Sequence, residues 1–181
     1  MQIEDLANVK VRLNEHFDFA MTIFQVDVPT ANGRVYPRAV IEKAIKTFNE
    51  QSLRFGCFNA SHESDTDFEL VALNRISHTT KFDIARSDNP NDDGQFVALI
   101  TILDTPRGNV LRQYVQEKMA RKYAQDPKTF MLSSCDVFLE FECLESYIIG
   151  EGSLTGEVVN DDYRIRSFHI IDKGNVPCQA M

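Results

Sequence analysis

Chemistry at neutral pH narrows quickly in this 181-residue chain, because it carries only four histidines and imidazole alone among unperturbed side chains titrates near there. His62 lies in Gly56-Cys57-Phe58-Asn59-Ala60-Ser61-His62-Glu63-Ser64, a small, polar stretch that reads as a loop able to hold an imidazole at the edge of a cleft. His78 follows Ser77 on an extended run from Ala72 to Thr80; on a strand with Ile76 it reads as a structural histidine more than as a base. Ser133-Ser134 follows Phe130-Met131-Leu132, so an apolar strand would deliver two small hydroxyls at its edge, where a nucleophile can project from a rigid element. Near the C-terminus, Phe168-His169-Ile170-Ile171-Asp172 offers a histidine or an aspartate to orient a catalytic imidazole. Three residues apart on a strand, the two face opposite sides, so at most one of them serves.

Other chemistries find less support. The acidic pairs Asp92-Asp93 and Asp161-Asp162 lie in polar stretches with no His or Cys to complete a metal set, and read as solvated. The phosphate-cradling G-x-x-x-x-G-K-[ST] pattern is absent, and no cofactor is expected. Cys57, Cys135, Cys143 and Cys178 are scattered, without a C-x-x-C pair, and read as free, mostly buried thiols. A net charge of -8 argues against a surface built to neutralise phosphates and points to protein partners. No run approaches the roughly 18 apolar residues of a membrane helix, and the first ten residues mix charged with apolar side chains; a soluble protein made in a cytoplasm is expected.

The elements that would position these residues are those of one compact α+β domain over 1-181. Phe17 to Val28 alternates apolar and polar residues as a half-buried strand does,. Asn32-Gly33 is turn chemistry, and Pro37 opens a helix over Ala39 to Glu50, with Val40, Ile41, Ala44, Ile45 and Phe48 on one face,. Extended runs from Leu70 to Asp83 and Gln95 to Leu103 flank a hairpin-like loop over Ser87 to Gly94,. A second helix is expected from about Asn109 to Tyr123, then strands Phe130 to Cys135, Val137 to Tyr147 and Tyr163 to Asp172, with a loop starting at Gly150-Glu151-Gly152-Ser153,. About six strands to two or three helices predicts a mostly antiparallel sheet or barrel carrying helices on its outside.

Taken in order, several of these pieces resemble the prohead core proteases of large tailed bacteriophages. Asn32-Gly33-Arg34-Val35-Tyr36-Pro37 is similar to that family's N-G-R-x-Y-P motif, residue for residue. His62 and Ser77-His78 look like its G-E-x-x-H-P loop and the serine-histidine pair that follows. Ile102-Leu103-Asp104-Thr105-Pro106-Arg107-Gly108 resembles I-L-x-T-P-x-G, and Leu132-Ser133-Ser134 falls where the family has G-V-S-S-R-G. Asp172, Pro177, Cys178 and Ala180 resemble its closing signature.

The resemblance implies a fold like that of the herpesvirus assembly proteases and a serine endopeptidase that cleaves scaffold, major capsid and internal proteins during head maturation. It implies Ser133 as nucleophile, His62 as general base and Asp172 as third member, with His169 or His78 taking that place in a Ser-His-His arrangement. Self-cleavage, homo-oligomerisation and a location inside the prohead or virion, assembled in the host cytoplasm, fit the same picture. The chain departs from the pattern after the serine pair, where Cys135-Asp136 stands in place of arginine-glycine. That change admits a second reading, a protease-fold protein without catalysis that serves as a structural or scaffold component of the head. A third, with Cys135 as nucleophile, is weaker, because Cys135 follows the serine pair and on a strand points to the opposite face from Ser134.

Overall fold

The structure is a computed structural model that describes residues 17-51, 54-59, 75-91, 93-125 and 144-172. Among these residues the chain runs β1 (Phe19–Gln25), α1 (Arg38–Asn49), β2 (Phe55–Asn59), β3 (Ile76–Ala85), β4 (Gln95–Ile102), α2 (Pro106–Gln125), β5 (Leu144–Glu151), β6 (Leu154–Thr155), β7 (Val158–Val159) and β8 (Arg164–Asp172). Six strands form one sheet in the order β1-β4-β3-β2-β8-β5, and β6 and β7 form a separate small hairpin. Every pairing in the large sheet is antiparallel except β2 with β8, which is parallel and joins Phe58 to Ile170. The α+β class expected from the sequence is thus the observed one, with both helices packed on one sheet face.

That face holds the main core. Ile41, Ala44, Ile45 and Phe48 of α1 and Leu111 and Val115 of α2 are buried against Phe19, Phe82, Phe96 and Phe168. Phe82 is the hub: its ring lies 4.8 Å from Phe48, 5.0 Å from Phe96 and 5.6 Å from Phe168. Such tilted and edge-on contacts suit the aromatic quadrupole. A smaller cluster, Phe17, Ala20, Ala85, Val97 and Leu99, is also buried. In β1 and β4 its members alternate with those of the main core, so β4 is apolar on both faces and its sequence runs almost without polar residues.

Two connections are built from short motifs. Between β1 and α1, Thr30 and Gly33 close a turn through a 2.8 Å backbone bond, with Gly33 at φ +78, and the Asn32 side chain accepts the Arg34 N–H at 3.1 Å. Val35 then bonds to both sides of β7, accepting from the Val159 N–H and donating to the Glu157 carbonyl. Tyr36 is buried with its ring 4.5 Å from Phe24 and 5.6 Å from Tyr163. Asp27 accepts the Arg38 N–H at 2.9 Å, capping α1 from eleven residues upstream. Between β4 and α2, the Thr105 hydroxyl accepts the Gly108 N–H at 3.0 Å, and Pro106 occupies the first helical position, where no amide donor is missed.

Three elements differ from the sequence expectation. Gly56 to Asn59, read as part of a loop, lies in β2, a central strand whose shortness and internal glycine leave no alternation to detect,. Helix α2 starts at Pro106, not at about Asn109, so Gly108 sits in its first turn. The stretch after Gly150 continues β5 to Glu151 and then folds as the β6–β7 hairpin. The expected strand Phe130 to Cys135 lies outside the described residues.

Candidate active site

One corner of the sheet gathers most of the described polar chemistry. β2 is flanked there by β3 and β8, and the head of α2 lies over the same edge. Gly56 pairs with His78 and Cys57 with Ile76, so Ser77 is an extra residue bulged out of the ladder,. The bulge turns two consecutive side chains toward each other: the Ser77 Oγ lies 2.7 Å from the His78 Nδ1 and 3.2 Å from the Gly56 carbonyl. Gly56 is required by crowding. A Cβ there would meet the Phe168 carbonyl at 2.2 Å and the His78 Nε2 at 2.3 Å. Gly108 seals the same corner from above, since its Cβ would fall 2.0 Å from the Leu103 carbonyl and 3.0 Å from the Ser77 carbonyl.

The hydrogen bonds fix the state of both imidazoles. His78 Nε2 is 3.3 Å from the Phe168 carbonyl, which can only accept, so in the neutral ring that nitrogen carries the proton and Nδ1 is the acceptor; the single hydrogen of the Ser77 hydroxyl is shared between Nδ1 and the Gly56 carbonyl,. The Cys57 N–H donates to His169 Nδ1 at 3.1 Å, so the His169 proton sits on Nε2, 3.0 Å from the Ser167 Oγ. Burial, followed by the neighbouring His169, pushes the His78 pKa down to about 3; burial alone pushes that of His169 down to about 4. Both rings are neutral at physiological pH.

Ser77 and His78 therefore have the hydrogen bond of a nucleophile and its base, yet neither has any exposed surface. No substrate carbonyl reaches them, and their chemistry is to lock β2, β3 and β8 together. Cys57 is a free, buried thiol, its pKa raised by burial with Arg75 and Arg107 pulling the other way. Two cationic side chains thus bear on the corner from the start of β3 and from α2.

The sequence-derived residues divide as follows. His78 and His169 meet at this corner. Asp172, at the end of β8, accepts a 3.0 Å hydrogen bond from the Tyr114 hydroxyl of α2, and the Tyr114 ring lies 5.5 Å from Phe58 of β2. His169 instead bonds Ser167, two residues back on its strand, and the β2 backbone. His62 and Ser133 lie outside the described residues, as do Cys135, Cys143 and Cys178. Ser77, Ser167, Arg107 and Tyr114 were not singled out for roles at the corner. Ser77 alone left a trace, as the hydroxyl beside a histidine on an apolar strand; the others are placed by contacts between distant segments.

No protein-family model matches the chain, and no curated protein matches it in sequence. Among solved structures it is similar to that of the bacteriophage T4 capsid assembly protease, with a TM-score of 0.49 and 16% sequence identity over 84% of this chain and 79% of that one.

Proposed function

We propose that the chain is a serine endopeptidase of bacteriophage head maturation, a single domain acting on scaffold, capsid and internal head proteins within the prohead. Ser133 is the nucleophile, His62 the general base and Asp172 the third member, with backbone N–H groups holding the oxyanion. The observation that carries this reading is the convergence of separate landmarks on one corner: Ser77-His78, the Thr105 to Gly108 helix start and His169 all meet there. Asp172 ends the strand that supplies His169, and pairs with Leu144 at the start of β5. The buried imidazoles act as the rigid wall of that corner.

Co-expression with head proteins tests the assignment. Ser133→Ala abolishes their processing and His62→Ala does the same, whereas unchanged cleavage in Ser133→Ala rejects the mechanism. A second reading, a protease-fold protein that has lost catalysis and serves in the head, rests on Cys135-Asp136 following the serine pair, because a carboxylate near a developing oxyanion opposes its charge. A fluorophosphonate probe separates the two readings: an activated Ser133 is labelled, in isolated protein or in assembled proheads, and an inert one in neither.

A further inference from the structure

Asn32-Gly33 is the one Asn-Gly pair in the sequence, and Asn32 is exposed in the turn between β1 and α1. Such a pair carries its own reaction. The Gly33 backbone nitrogen attacks the carbon of the Asn32 side-chain amide, a C–N bond forms that closes a cyclic succinimide, and the displaced NH2 leaves with the Gly33 N–H proton as ammonia. Water then opens the ring. Cleavage at one carbonyl gives aspartate; at the other it gives isoaspartate, in which the main chain runs through the former side chain. Glycine in second place favours the attack, because no Cβ shields the nitrogen.

The fold engages both reacting groups. The Gly33 N–H, whose nitrogen is the nucleophile, donates to the Thr30 carbonyl at 2.8 Å. The oxygen of the amide under attack accepts the Arg34 N–H at 3.1 Å and shares the Thr30 hydroxyl hydrogen with the Arg34 carbonyl. The Thr30 N–H donates to the same carbonyl at 2.9 Å, which closes a three-residue hairpin loop with Gly33 in the left-handed position at φ +78,. Succinimide closure must break the Gly33 and Asn32 bonds together, so it requires the turn to open. The side-chain bonds of the turn are exposed and span two to four residues, whereas the chain beyond is tied elsewhere, Val35 to Glu157 and Val159 and Tyr36 to the core. The turn can therefore open while the domain stays folded.

We propose that Asn32 is a modification site whose deamidation is gated by local opening of this turn, and that the isoaspartate formed prevents the turn from closing again. The isoaspartyl link inserts one methylene into the main chain between Ala31 and Gly33 and leaves a free carboxylate beside it. The lengthened loop no longer matches the Thr30–Arg34 pair, and Val35 is carried out of register with β7,. The site stands apart from the protease reading and fails or holds independently of it.

The test incubates the full chain at mildly alkaline pH, folded or in concentrated urea, and follows the mass gain at Asn32 by peptide mass spectrometry, with an isoaspartate-specific methyl-transfer assay to tell the two products apart. In urea Asn32 reacts before any other asparagine. In the folded chain it reacts about ten- to a hundredfold more slowly, in proportion to the fraction of open turn, whereas gating by global unfolding would slow it more than about a thousandfold. Equal rates in the two states, or a protection as large as the global unfolding constant of the same protein, overturns the proposal. Thr30→Ala takes the hydroxyl out of the turn and raises the folded rate about fivefold, equivalent to about 1 kcal/mol of turn opening, with the rate in urea unchanged; an unaltered folded rate rejects the gate. Should that variant fail to fold, the two wild-type rates decide alone. The isoaspartate form carries one more negative charge and is isolated by anion exchange. Its urea midpoint lies below that of Asn32→Asp, which has the same charge on an unlengthened chain, and equal midpoints reject the loss of closure.

Discussion

Two glycine-bearing landmarks, both legible as sequence motifs, do opposite physical work. Gly33 sits in an exposed turn at φ +78, and a Cβ built there meets nothing within 4 Å; the backbone angle alone selects glycine. Gly108 has no such angle, but a Cβ there would lie 2.0 Å from the Leu103 carbonyl, so the constraint is the close packing of α2 on the sheet. The surroundings differ in the same way. Around Gly33 the side-chain bonds link residues two to four apart, such as Asn32 to Arg34 and Thr30 to Arg34. Around the corner sealed by Gly108 they link residues 21, 90 and 112 apart and are buried. The side chains of the Gly33 turn are thus held locally, and its distant ties run through its neighbours, Val35 to Glu157 and Val159 and Tyr36 to Tyr163, whereas at the corner the distant bonds are made by the side chains themselves.

The largest effect expected from this contrast is a response to acid. The two corner histidines titrate near 6.5 when unfolded and at about 3 and about 4 when folded,. The unfolded chain then binds more protons between those limits, so the stability they contribute is complete above pH 6.5 and falls as pH drops from there toward 4 and 3. At about 1.4 kcal/mol per unit of displacement the loss is on the order of several kcal/mol. Urea midpoints across that range measure it, and His78→Gln flattens the slope; a midpoint constant from pH 7 to 4 contradicts the neutral buried pair.

Gly108→Ala comes next, with a loss of about 3 kcal/mol or more, because backbone on both sides must move. Gly33→Ala costs about 1 to 2 kcal/mol, the strain of a left-handed angle at alanine. Denaturant midpoints on both variants decide the matter, and equal losses would dissolve the distinction between turn and close approach. Smallest is Lys43→Ala, which removes an exposed ion pair with Asp161 and shifts stability by no more than about 0.5 kcal/mol.

Local chemistry was readable in advance and distant chemistry was not. The period of Ile41, Ala44, Ile45 and Phe48 placed α1 within a residue or so, and β3, β4 and their connecting turn followed from apolar runs broken by Asp, Asn and Gly. Strand β2 escaped because it is five residues long, with glycine inside it. The Ser77 bulge escaped because it exists only relative to the register of the neighbouring strand. For the site, His78 and His169 could be picked out as scarce titratable groups, but their shared corner, their protonated nitrogens and the Tyr114 bond to Asp172 arise from strands and a helix that meet only in the folded chain.

The parallel joint between β2 and β8 has a consequence in time. β2 finds its antiparallel partner β3 soon after it is made, but its other neighbour is near the end of the described chain, with Cys57 and His169 112 residues apart. Loop closure over such a span is slow and cannot begin until β8 has left the ribosome. Until β8 has been made, the Cys57 N–H and the His78 ring therefore lack the β8 groups that later hold them. Whatever chemistry the corner supports is withheld from a nascent chain until β8 has been made and docked beside β2.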